Sequence, residues 1–107
     1  MTEPVHVESE IKRTICEWLA KFPNKILFTV TPPKRTKYSS KFMMCGWPDI
    51  FGVIRRQHMH EAFFIEVKKP GGTLSLEQHK VLEQAKSMGA ITCVATDVSD
   101  VRKALGI

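Results

Sequence analysis

The sequence predicts an α/β fold in which a mixed four-stranded sheet is flanked by helices, in the order α-β-β-β-α-β-α. Three observations carry this. Apolar residues recur at helical spacing in three stretches, and four short runs are rich in β-branched and aromatic residues. The second and third of those runs are separated only by a polar turn, which makes them an antiparallel hairpin. The fourth is reached through a helix, and a strand reached by such a crossover joins its sheet in parallel with a neighbour.

Residues 1–7 form a short lead. In residues 8–22, Ile11, Ile15, Trp18, Leu19 and Phe22 describe an amphipathic helix that Pro23-Asn24 ends. At about 100° per residue, Glu8 falls on the Ile11/Ile15/Phe22 stripe and Glu10 falls nearly opposite. Glu8 is therefore expected on the core side and Glu10 in water, although the helix dipole alone favours acids in a first turn. Residues 25–31 read as a strand stopped by Pro32-Pro33. Residues 32–45 follow with no apolar period and carry Lys34, Arg35, Lys37, Tyr38, Ser39, Ser40 and Lys41. A loop of this length in so short a chain is usually functional or mobile. Its cations, hydroxyls and one aromatic suit phosphate contact by Lys34, Arg35, Lys37 and Lys41 and stacking of a base, although a solvated linker would have a similar composition.

The hairpin organises the rest. Pro48-Asp49-Ile50-Phe51-Gly52-Val53-Ile54 and Ala62-Phe63-Phe64-Ile65-Glu66-Val67-Lys68 flank the polar residues 55–61. Pairing them antiparallel brings Asp49, Glu66 and Lys68 to one end of the ribbon. Alternation puts Glu66 and Lys68 on one face of their strand and Val67 on the other. An acid in a strand that otherwise wants burial is costly unless balanced, and two converging carboxylates raise each other's pKa. A divalent cation relieves both. Few hard oxygen ligands, with room for water and a phosphate, suit Mg²⁺ or Mn²⁺. A lysine beside them can orient a water or stabilise charge developing on phosphorus. The plainer alternative is a surface hairpin with incidental charges, including a simple Glu–Lys pair.

Around the hairpin, Gly46 is a site of close backbone approach or positive φ. Trp47 either covers the core or touches substrate. Arg55 and Arg56 read as an exposed basic edge, and His58 and His60 lack a third partner for zinc. Beyond Lys68, the cation Lys69 adds to the basic surface and Pro70-Gly71-Gly72-Thr73 breaks the strand. Ser75 opens a helix with a Val81, Leu82, Ala85 and Met88 stripe, stopped by Gly89. Ser75-Leu76-Glu77-Gln78 is a capping-box pattern, yet the spacing of Gln78 to Val81, Leu82 and Ala85 also turns it toward the sheet. Residues 90–95 form the last strand. Residues 97–105, capped by Asp97 or Ser99, close the fold with Val98, Val101 and Leu105 inward.

Gly46-x-Pro48-Asp49, Glu66-Val67-Lys68-x-Pro70-Gly71-Gly72 and Leu74-Ser75-x-x-Gln78 together resemble the VRR-NUC branch of the PD-(D/E)XK nucleases, over about residues 8–97. The resemblance implies a restriction-endonuclease-like core and a metal-dependent DNA endonuclease. It implies that Asp49, Glu66 and the Val67 backbone carbonyl bind Mg²⁺ or Mn²⁺, that Glu8 completes the acidic shell directly or through water, and that Lys68 positions or activates the attacking water. Gln78 then lies near that lysine and the scissile phosphate. Small members resemble stand-alone phage or bacterial enzymes, several of which cut branched DNA such as Holliday junctions, often as homodimers. A nicking or flap-cutting nuclease and a non-catalytic DNA-binding module on the same fold are the alternatives.

Composition agrees with a nucleic-acid partner. The 107 residues are 43% apolar and carry a formal charge of +5. The isoelectric point near 9.3 leaves the surface basic despite an acidic site, which favours polyanions. One globular domain is expected. The sequence has no apolar run near 18 residues and no secretion-signal pattern, so neither a membrane span nor export is expected. Cys16, Cys45 and Cys93, odd in number and widely spaced, are expected to be reduced thiols of a cytoplasmic protein, and the resemblance implies a bacterial or phage-infected cell.

Overall fold

The structure, a computed structural model, describes residues 7–32, 42 and 44–107. Its elements run α1 Glu8–Leu19, β1 Ile26–Val30, β2 Ile50–Arg55, β3 His60–Val67, α2 Leu76–Ser87, β4 Ile91–Ala95 and α3 Val98–Leu105. The expected order is the observed one. The strands form one sheet ordered β1-β2-β3-β4, antiparallel between the first three and parallel between β3 and β4.

Alternation along the strands sorts the two faces. Ile26, Ile50, Ile54, Phe63, Ile65, Val67 and Ala95 face a core closed by Ile15 and Leu19 of α1 and by Val101 and Leu105 of α3. The opposite face carries Phe51 and Phe64, on which Trp47 packs edge-on at 5.6 and 5.4 Å between ring centres. Helix α2 lies on that side, with Val81 and Leu82 buried. Trp47 thus covers apolar surface. Leu19 is fully buried in the main core, so Leu19→Ala should cost ~2–5 kcal/mol in a urea unfolding titration. A loss below ~0.5 kcal/mol would mean that α1 does not seal the core.

Several local expectations need correction. Helix α1 stops at Leu19 rather than Phe22, because the chain tightens into turns in which Lys21 donates to Trp18 and Phe22 to Leu19. Phe22 still packs on Trp18, 5.1 Å away. The hairpin connection is shorter than the polar stretch 55–61, since Arg55 pairs with His60 and Ile54 with Glu61. Arg56 is not a free basic edge: its Nε donates to Glu61 Oε1 at 3.1 Å, and both side chains are about two-thirds shielded. Met88 does not continue the α2 stripe. It is the C-cap residue, 79% exposed, because its φ of −91° and ψ of 3° leave the helical path. Asp97, not Ser99, caps α3 by accepting from the Asp100 amide.

No helix among the described residues is long and apolar enough to cross a membrane. All three cysteines are free.

Candidate metal centre

Three contacts hold Asp49 in place. The Thr31 amide donates to the Asp49 carbonyl at 2.8 Å, and the Thr31 hydroxyl donates to the Pro48 carbonyl at 2.5 Å. These tie the turn before β2 to the end of β1. The Val67 amide then donates to Asp49 Oδ2 at 2.7 Å, which fixes the carboxylate across the ribbon at the end of β3. Asp49 thereby stands beside Glu66, as the register Ile50 to Ile65 requires.

Glu66 is only 3% exposed, and it is the one charged residue buried among those described. Strand β4 flanks it, with Glu66 opposite Val94. Burial, then a hydrogen bond to the Asp49 carboxyl, then the Asp49 charge push the Glu66 carboxyl up to about 8. Lys68, with Nζ 3.9 Å from Glu66 Oε2, opposes that rise without cancelling it. An incidental surface hairpin would keep its glutamate in water.

Gln78 serves two structures with its two ends. Its Oε1 accepts from the Ser75 amide at 2.9 Å while Ser75 Oγ accepts from the Gln78 amide at 3.1 Å, completing the capping box of α2. Its Nε2 donates to Glu66 Oε2 at 3.0 Å. The helix start is brought there by Gly46, whose φ is +83° and whose added Cβ would lie 2.5 Å from the Glu77 carbonyl carbon and 2.7 Å from the Gln78 nitrogen. Both uses foreseen for that glycine apply at once.

Glu8 and Glu10 leave α1 on different sides, although both are exposed. Glu10 pairs loosely with Arg13 at 3.8 Å in water. Glu8 lines a cavity of about 360 Å³ with Ser9, Lys12, Arg13, Cys16, Asp49 and Val67, and its charge adds slightly to the rise at Glu66. It does not join the Asp49–Glu66 pair: among the described residues no three histidine, cysteine, aspartate or glutamate side chains are close enough to hold a metal. His58 and His60 are exposed and belong to no such group. Lys69 is exposed just beyond Lys68. Lys34, Arg35, Lys37 and Lys41 lie outside the described residues. Thr31 and Lys12 were not legible as site residues. Thr31 reads as an ordinary strand end, whereas Lys12, four residues after Glu8 on the same face, could have been found by asking what else α1 points the same way.

The donor set fits a divalent cation. Two carboxyl groups in hydrogen-bonding contact, one of them buried and holding its proton near neutral pH, form an arrangement that a cation would relieve by replacing the proton. One or two carboxylates with water and phosphate is the usual holding of Mg²⁺.

A raised carboxyl makes a testable link to stability. The folded state keeps the Glu66 proton between about 4.5 and about 8 while the unfolded chain has lost it. In metal-free buffer, stability should therefore be highest at the acid end of this window and fall as pH rises, by on the order of 3–5 kcal/mol. Urea midpoints across pH 5 to 9 in EDTA check this. Glu66→Gln should flatten the slope, and an equal slope in that variant would assign the effect elsewhere.

A buried glutamate beside a partly buried aspartate at the open end of a hairpin, on a mixed sheet flanked by helices, fits a nuclease-type domain. The chain belongs to the VRR-NUC domain family, a family of nuclease domains, whose sequence profile matches residues 7–98. A solved structure described as a VRR_NUC domain protein superposes with a TM-score of 0.70 at 21% identity, over 94% of this chain and 85% of its own. That likeness concerns the fold. No curated protein gives a significant match.

Proposed function

We propose that this chain is a Mg²⁺- or Mn²⁺-dependent DNA endonuclease that hydrolyses phosphodiester bonds. The observation that carries the reading is the burial of Glu66 against Asp49 with Lys68 and Gln78 on the same carboxyl oxygen. Asp49 and Glu66 would hold the ion, with the Val67 carbonyl as a further oxygen and Glu8 acting through water. When bound, such an ion polarises the phosphoryl oxygens and lowers the pKa of its water. Lys68 orients the attacking water and offsets charge developing on the phosphate. Gln78 keeps Glu66 turned toward Asp49, and its hold on α2 sets that orientation before substrate arrives.

Within the family resemblance, branched DNA is the proposed substrate. A homodimer would present two such sites to opposed strands. Lys69 and the basic residues Lys34, Arg35, Lys37 and Lys41 would meet the phosphate backbone. Free thiols suit the cytoplasm. The rival reading is a DNA-binding module without catalysis, and a flap or nicking nuclease is the variant within the enzyme class.

A panel of junction, flap, single-strand and linear duplex DNA, each with Mg²⁺ or with EDTA, tests the proposal. Metal-dependent cutting with preference for the junction is expected. Binding without cutting in either metal would favour the non-catalytic module, and preference for a flap or a single nick would replace the junction.

A further inference from the structure

We infer that Lys12, with Ser9 beside it, forms a phosphate-holding wall opposite Asp49 that grips a non-scissile phosphate of the DNA strand being cut; the inference rests on the nuclease reading above. The cavity between α1 and the ends of β2 and β3 has acids and cations on its walls: Glu8 and Asp49, with Lys12 and Arg13. Of the two cations, Arg13 is already engaged on the helix surface, 3.8 Å from Glu10 and 3.9 Å from Glu17, with its side chain 68% exposed. Lys12 differs. It is half-buried, and no ion pair joins it among the described residues, although Glu8 lies one turn earlier on the same helix face. Lys12 and Cys16 line the same cavity, and the lysine charge opposes the burial-driven rise of the Cys16 thiol.

A partly desolvated lysine that pairs with no acid among the described residues is a point charge suited to an anion, and phosphate is the anion that a basic nuclease domain meets. Asp49 and Glu8 would repel a phosphate entering alone. Once their charge is offset at the centre, Lys12 is the cation that can draw a neighbouring phosphate across the cavity. This would set which way the strand runs over the site, from α1 toward the hairpin mouth. Ser9, on the preceding turn, offers a hydroxyl to the same oxygens.

Steady-state cleavage of a short DNA in Mg²⁺ by Lys12→Ala, Lys12→Arg and Lys21→Glu proteins tests it. Lys12→Ala should raise KM about tenfold with kcat changed less than about threefold, and should lower the slope of log affinity against log salt by about 1. Lys12→Arg, which keeps the charge, should stay within about threefold of the original KM. Lys21→Glu, a larger charge change at an exposed position past the end of α1, should matter less than Lys12→Ala. In a series of substrates each carrying one neutral methylphosphonate, one position should weaken the original protein about tenfold and the Lys12→Ala protein not at all.

An unchanged KM and salt slope in Lys12→Ala, or a methylphosphonate profile identical in the two proteins, would overturn the assignment. If the original protein cuts no DNA in Mg²⁺ or Mn²⁺, the nuclease reading fails on its own. Anisotropy binding of the labelled DNA in Ca²⁺ then still decides Lys12: a tenfold weaker Lys12→Ala complex supports it, and an equal one refutes it.

Discussion

Asp49→Asn and Lys68→Ala proteins are expected to cleave DNA in Mg²⁺ at least about 10³-fold more slowly than the original chain while remaining folded. The two changes act on different parts of the site. Asn at position 49 keeps an oxygen able to accept from the Val67 amide, so the 2.7 Å tie across the ribbon survives. What disappears is the negative charge that would share a cation with Glu66. Glu66 already holds its proton at neutral pH, so Asn exchanges a charge-assisted hydrogen bond for a neutral one, and the metal-free Asp49→Asn protein should stay folded and unfold at a temperature equal to or slightly below that of the original. Lys68→Ala removes the ammonium group 3.9 Å from Glu66 and leaves both carboxyl groups intact. Metal affinity should then persist while turnover falls. Gel assays of cleavage with melting curves on the same samples would check both. Cutting at the original rate by either protein would dismiss these residues as the catalytic set.

A loss of both stability and cleavage is expected from a residue that carries no functional group. Gly46→Ala forces a Cβ to 2.5 Å from the Glu77 carbonyl carbon and 2.7 Å from the Gln78 nitrogen. Both neighbours are backbone atoms, so no rotamer change relieves the contact, and the start of α2 must move. Gln78 moves with it and loses its 3.0 Å bond to Glu66. Gly71 provides the control, because it shares a φ of +83° but has open space where its Cβ would go. Gly71→Ala should therefore cost only the ~1–2 kcal/mol of left-handed backbone, and Gly46→Ala at least ~2 kcal/mol more, with cleavage reduced at least tenfold. Urea titrations of the pair measure the difference. Equal destabilisation would show that α2 does not bear on Gly46.

The order of elements was legible because each periodic stretch has one clear period and several of them end at a Pro or Gly. Pro32 after β1, Gly89 after α2 and Pro70 after β3 are such stops. Parallel addition of β4 beside a neighbour followed from the crossover helix alone, and that neighbour is β3. The misjudged details are those that depend on partners rather than on pattern. Arg56 is shielded by its ion pair with Glu61 across the turn, a partner that the pattern of residues 55–61 does not reveal. Met88 keeps helical spacing, but the chain leaves the helix just there, so its spacing no longer describes a face.

The site divides in the same way. That Asp49, Glu66 and Lys68 meet follows from hairpin pairing, since the register decides which residues lie opposite one another. How deeply Glu66 is buried does not follow, because β4 and α2 are supplied by later parts of the chain. The two readings of Gln78, helix cap or site residue, could not be separated by spacing. The structure needs no choice, because the carbonyl end of the amide caps α2 and the amino end reaches Glu66. Spacing puts Lys12 on the Glu8 face of α1, although a lysine on a helix flank is ordinarily a solvated residue. Only the folded cavity shows which side of α1 stands against Asp49.

We propose that the Asp49–Glu66 pair is a cation site that holds a proton until the cation arrives. Calorimetric titration of Mn²⁺ at pH 7, repeated in two buffers of different ionisation enthalpy, counts the protons released per ion bound. Binding with release of about one proton per ion, both lost in Asp49→Asn, is the predicted result. No binding, or binding that releases no proton and persists in Asp49→Asn, would contradict it.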